Sequence, residues 1–168
     1  MADITAAMVK DLREKSGAGM MDCKKALNEN GGDMDAAMDW LRTKGLAAAA
    51  KKSTRETNEG LVESYIPSGG RTGALVELNC ETDFVSRLPE FKRLAHDLTM
   101  QVAAMAPKYV DKSEIPDGDV SDPEVVCLMQ QSFIKDDSKV MQELVTELAA
   151  RVGENVRVKR FARFALGD

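Results

Sequence analysis

The groups able to do chemistry are few. The chain has one histidine, His96, and three cysteines, Cys23, Cys80 and Cys127. Any Ser–His–Asp or Cys–His mechanism would have to run through His96. That residue falls off the apolar stripe Phe91, Leu94, Ala95, Leu98, Val102 and Met105 of a helical pattern, which predicts a solvated helix residue rather than a base. The cysteines are odd in number, far apart and without a C-x-x-C. This argues against a disulfide framework or a zinc knuckle and for three reduced, mostly buried thiols in a cytosolic protein. Gly69-Gly70 lies between two strand-like runs and lacks the strand–loop–helix setting of a phosphate loop. The acidic residues match no calcium loop, and no pair of them is placed by spacing as acid and base. The inventory favours binding over catalysis, with no cofactor and no metal site; a hydrolase built on His96 is the weakest alternative.

Two stretches stand out as contact candidates. Glu81-Thr82-Asp83-Phe84-Val85-Ser86 joins the end of a half-buried strand to a helix that cannot begin properly before Pro89. Such connections lie at the surface. Phe84 either packs back under the helix, which the residues alone favour, or projects beside a carboxylate as a wedge for a partner's pocket. The second stretch is Gly17-Ala18-Gly19-Met20-Met21-Asp22-Cys23-Lys24-Lys25. Met20 fits an apolar stripe with Cys23 and Leu27, whereas Met21 does not. A polarizable Met on a tight turn makes an adaptable contact, although packing of both within a bundle is the plainer expectation.

The elements that must hold these stretches follow from length and pattern. The chain has 168 residues, 43% hydrophobic, 30% charged and 5% aromatic. That is enough for a buried core in one domain or two small ones, and too regular in its apolar spacing for a disordered chain. Apolar runs fall well short of the roughly 20 residues of a membrane helix. The start, MADITAAMVKDL, reads as neither signal nor transit peptide. The net charge of −5 does not favour nucleic acid.

Residues 1–50 read as a three-helix module. Thr5 caps a helix with Met8, Val9 and Leu12 inward, stopped by Gly17 and Gly19. Met20, Cys23 and Leu27 mark a second, ended by Asn30-Gly31-Gly32. Asp33 caps a third, with Met34, Ala37, Met38 and Leu41 inward, closed by Gly45. Alanines 47–50 can prolong that helix, and residues 51–59 read as a linker.

Residues 60–168 read as an α+β core. A hairpin of Leu61–Ile66 and Thr72–Cys80 leads to a helix from Pro89 to Ala106. Residues 107–124 form an acidic loop, followed by a short helix at Glu124–Gln131 and a long one from Ser138 to Val152. Asn155–Leu166 is strand-like, with a bulge where the alternation slips at Arg160-Phe161. Its basic residues, Arg157, Lys159, Arg160 and Arg163, interleave with Phe161 and Phe164. An ordinary strand with one basic face explains them as well as a nucleic-acid surface would.

Three segments, Leu12–Leu27, Val76–Arg87 and Gly153–Phe164 (LREKSGAGMMDCKKAL, VELNCETDFVSR and GENVRVKRFARF), resemble the bacterial-type elongation factor Ts family, in the family's order. The resemblance implies a guanine-nucleotide exchange factor for elongation factor Tu, acting in the cytoplasm, with no enzyme chemistry of its own. It implies an N-terminal module like a ubiquitin-associated domain, docking on the partner's GTPase domain through a region holding Leu12, Met20 and Met21. Thr82, Asp83, Phe84 and Val85 match the motif associated with dislodging the partner's Mg²⁺, with Asp83 and Phe84 entering near the nucleotide. Short members of the family can pair as homodimers, which would cover a sheet face left open by one copy; longer members have two related halves. The long helical insertion that short members carry before the last conserved helix has no counterpart between Val126 and Ser132. The rival from another class is an adaptor or chaperone-like module without exchange activity.

Overall fold

A computed structural model describes residues 4–168. Three helices open the fold: α1 (Ala6–Ser16), α2 (Met20–Glu29) and α3 (Met34–Lys52). The Thr5 hydroxyl accepts the Met8 N–H at 3.3 Å, and the Asp33 carboxylate accepts the Ala36 N–H at 2.9 Å. Each cap supplies an acceptor for a first-turn N–H that has no partner in its own helix. Gly17 ends α1 with a left-handed φ of 69°. Val9, Leu12, Cys23, Ala26, Leu27, Ala37 and Leu41 form a small buried core, edged by Met8, Met34, Met38 and Trp40.

Gly45 does not close the third helix. α3 continues to Lys52 because Gly45 lies against helix α7 (Met141–Val152), where an added Cβ would stand 3.1 Å from the Ala150 methyl. The missing side chain permits close helix approach, and Ala47 to Ala50 carry the helix onward. Leu41 belongs to the small core and Ala49 to the large one. Contact between module and core therefore begins before the linker expected at 51–59, whose first two residues are helical.

The core is built on a three-stranded antiparallel sheet ordered β1 (Glu59–Tyr65), β2 (Thr72–Cys80), β5 (Arg157–Ala165). Val76, Leu78 and Cys80 of β2 are fully buried. They belong to one cluster with Phe91, Leu98 and Val102 of α5 (Pro89–Met105), and with Met141, Val145 and Leu148 of α7. The alternation of β2 thus directs one sheet face to the helices, as its period of two requires. The bulge falls one residue before the slip in alternation. Glu77 opposes Arg160 and Leu78 opposes Val158, so Lys159 is the extra residue. The overall architecture is α+β, with α4 (Asp83–Ser86) and α6 (Pro123–Val126) as single turns.

Another element departs from its pattern. The last helix starts at Met141, not Ser138, because Asp136–Val140 is a strand (β4) paired with Ser132–Phe133 (β3). The Asp136 carboxylate accepts both the Ser138 N–H and hydroxyl, which suits an extended turn. Glu143 then accepts the Val140 N–H at 3.0 Å and fixes the start of α7.

Candidate functional site

The Thr82–Ser86 turn is held from behind. β2 ends at buried Cys80, whose thiol donates to the Thr82 carbonyl at 3.1 Å. Burial, reinforced by the charge of Glu154, pushes that thiol up to about 11. The Glu154 carboxylate accepts three bonds at the next step. Oε2 takes the Glu81 N–H at 3.1 Å and the Thr82 N–H at 3.0 Å, and Oε1 takes the Thr82 hydroxyl at 2.6 Å. The Ser86 hydroxyl closes the turn on the Asp83 carbonyl at 2.9 Å. One turn of helix is far below the length that is stable alone, so these bonds and the packing beneath it hold α4 in place.

Successive residues of a helix point about 100° apart, so one turn sends neighbours in different directions. Val85 goes inward and is 6% exposed; Phe84 goes outward and is 77% exposed. The expectation that Phe84 packs back under the helix is overturned, since Val85 fills that place. Asp83 lies beside it, its carboxylate 2.8 Å from the Arg87 guanidinium. The four residues are therefore brought together as two anchors, Thr82 and Val85, and two outward groups, Asp83 and Phe84.

The second stretch also corrects its plainer expectation. Met20 is 51% exposed and Met21 78%. Met20 occupies the first position of α2, and the inward places on that helix go to Cys23, Ala26 and Leu27. Leu12 is fully buried in the small core and offers a partner no surface. Its part in this region is to support α1 from within. The turn before α2 is tied down by the Ala18 N–H on the Ser16 hydroxyl, 3.2 Å, and by an ion pair between Asp22 and Lys44.

The two stretches share no direct hydrogen bond or ion pair among the described residues; α3 and the turn after α7 link them. The Glu81 carboxylate accepts the Asn155 N–H at 2.7 Å. The Asn155 amide donates to the Ser53 and Arg55 carbonyls at 3.1 and 2.8 Å, and Lys52 donates to the Gly153 carbonyl at 2.7 Å. Sequence reasoning singled out neither Glu154 nor Asn155. The one local signal was a carboxylate and an amide directly after the Gly153 helix stop.

Other candidates resolve simply. His96 is exposed, 3.7 Å from Glu63 and edge-on to Tyr65. Of the basic strand residues, Arg160 pairs with Glu77 at 2.7 Å, and Arg163 donates to the Ala103 carbonyl at 3.1 Å. Cys23, Cys80 and Cys127 are free and buried. Among the described residues no cluster of three potential metal ligands occurs.

These features define a helical module joined to an α+β core, with exposed apolar side chains on tightly fixed turns. The profile of the family described as Elongation factor TS matches residues 46–125. A protein named elongation factor Ts from Desulfitobacterium hafniense is 46% identical, over all of this chain and 91% of its own length. Proteins of the same name from an Anaeromyxobacter species and from Thermosynechococcus vestitus are 48% and 49% identical over all of this chain, and over 90% and 67% of their own lengths. The chain belongs to the elongation factor Ts family, a family of translation elongation factors. The alignment with the Desulfitobacterium relative spans 198 residues against 168 here, so the relative carries residues without a counterpart in this chain.

Proposed function

We propose that this protein is the nucleotide-exchange factor of an elongation factor Tu, binding its GDP-bound and nucleotide-free forms and promoting GDP release with loss of Mg²⁺. The observation that carries the reading is Phe84, 77% exposed on a turn fixed by five hydrogen bonds and by the inward packing of Val85. With its backbone already set, an exposed aromatic has only its side-chain rotamers to order, so most of its burial in a partner is available as binding free energy.

The chemistry asks for little more. GDP on a GTPase is held by backbone N–H groups, a lysine and a bridging Mg²⁺. An exchange factor needs no nucleophile; it must bind the nucleotide-free state more tightly than the GDP state. Coupling is reciprocal, so the factor weakens GDP by the ratio by which GDP weakens the factor. A ten-thousand-fold effect requires about 5.5 kcal/mol of differential binding. A buried aromatic wedge contributes about 2–4 kcal/mol of that. In this reading Asp83 brings a carboxylate toward the metal's surroundings, Thr82 and Val85 hold the turn, and Met20 and Met21 dock on the GTPase domain. A second copy of the chain covers the open sheet face, and the protein works in the cytoplasm without contacting nucleic acid or membrane. Among the described residues no helix is long and apolar enough to cross a membrane.

The test is stopped-flow release of a fluorescent GDP from elongation factor Tu, with the wild-type protein and Phe84→Ala. Wild type should accelerate release steeply, and the variant should lose about thirty-fold or more of that acceleration, the equivalent of roughly 2 kcal/mol. Binding without acceleration by either protein would replace exchange with an adaptor function. Equal acceleration by both would remove Phe84 from the wedge role.

A further inference from the structure

We infer that Glu154 is a positioning residue for the exchange wedge, an inference that rests on the exchange reading above. It lies 70 positions from Phe84 in sequence and does not share its element. Its two carboxylate oxygens accept three bonds from the residues immediately before α4, the Glu81 and Thr82 N–H groups and the Thr82 hydroxyl. Thr82 is the residue at which the chain leaves its extended conformation, with φ −128° and ψ 155°, and enters the turn that carries Phe84. Its own hydroxyl makes no cap to α4; it donates to Glu154 instead.

The same turn reaches the other way. Asn155, the next residue, donates its N–H to the Glu81 carboxylate and ties the Ser53–Arg55 backbone with its side chain. The segment leaving the helical module and the turn bearing Phe84 are thereby fastened to adjacent residues. Two contact regions that a partner must engage at once bind best when their separation is preset, since ordering is then not charged to association. Glu154 holds the wedge end of that link.

The residue has no part in touching the partner in this scheme, so its removal should move the maximum rate of release more than the concentration at half-saturation. In Glu154→Ala the maximum rate should fall about ten-fold while half-saturation shifts less than three-fold. Glu154→Gln keeps an oxygen for the two N–H groups and offers its amide to the Thr82 hydroxyl, so it should restore the rate to within about three-fold of wild type. In the double variant with Phe84→Ala, loss of Glu154 should cost almost nothing further, because the clamp acts only through the wedge.

Amide hydrogen exchange on the free protein gives a readout that does not depend on exchange activity. Glu81 and Thr82 N–H groups should lose protection in Glu154→Ala and regain it in Glu154→Gln, while the α5 amides stay protected. Wild type that fails to accelerate GDP release overturns the exchange reading, and the wedge role of Glu154 with it. An effect of Phe84→Ala without one of Glu154→Ala overturns the clamp alone. Additive losses in the double variant, or equal losses in the Ala and Gln variants with a lowered melting temperature, reduce Glu154 to a general structural residue and also overturn it.

Discussion

At the scale of single residues, the turn carrying Phe84 depends on groups that are chemically quiet. Cys80 is the clearest case. Its thiol is fully buried, donates to the Thr82 carbonyl, and is pushed up to about 11 by burial and by the nearby Glu154 charge. Reactivity belongs to the thiolate, which at pH 8 is then on the order of 0.1% of the population. The native protein should therefore resist alkylation at Cys80, which mass spectrometry of peptides labelled before and after denaturation would reveal. Rapid native labelling of Cys80 would contradict the burial. The sign of the pH effect follows from the same shift. The folded state holds the thiol proton more tightly than an ordinary cysteine at 9.0, so this contribution to stability is complete below pH 9 and is lost as pH rises toward about 11. Replacing Cys80 by Ala should flatten the alkaline limb of a stability–pH profile over that window, at the cost of the bond to Thr82.

At the scale of elements, the features legible in the sequence were those set by local rules. Thr5 and Asp33 cap where their side chains predict, Pro89 opens α5, and β2 alternates as written. The errors arose where a distant partner decides. Gly45 reads as a helix stop because its use is contact with Ala150, more than a hundred residues away. Phe84 reads as buried because nothing local says that Val85 will take the inward place. Glu154 has no readable role at all, since its two partner residues, Glu81 and Thr82, lie on the other side of α5 and α7 in sequence. Gly60 shows the same logic in a strand. Its φ of 150°, together with the Leu78 carbonyl 2.1 Å from any added Cβ, requires glycine at the start of β1. Gly60→Ala should cost about 2–3 kcal/mol, because the atoms that must move are backbone of the central strand. For a chain of this size that corresponds to a melting temperature lower by roughly 5–10 °C, measurable by circular dichroism. A loss below about 1 °C would show that β1 does not approach β2 so closely.

At the scale of the whole molecule, the sheet leaves the question of its second face. α5 and α7 cover one side through Val76 and Leu78, while Val62, Ile66, Leu75, Phe164 and Leu166 stand 46–74% exposed on the three strands and just beyond them. The register makes them neighbours: Leu75 opposes Ser64 on one side and Ala162 on the other, and Phe164 opposes Gly73. Glycine opposite Phe164 leaves its ring without a cross-strand cover. The Glu77–Arg160 ion pair marks a polar border. Scattered apolar side chains need no explanation, but a contiguous group with a polar border is the form of an interface. A second copy of the chain would supply a surface of the same shape and chemistry by two-fold symmetry, closing two open sheets into a sandwich. Sedimentation equilibrium should then show a concentration-dependent dimer that Phe164→Glu and Leu75→Lys each convert to monomer. Both positions are at the surface, so the folded monomer should survive with its circular dichroism unchanged. A wild-type chain that stays monomeric at 100 µM would leave that face for elongation factor Tu, in which case the same substitutions should weaken complex formation instead. Since Phe84 belongs to a separate turn, either outcome can be read apart from the exchange rate.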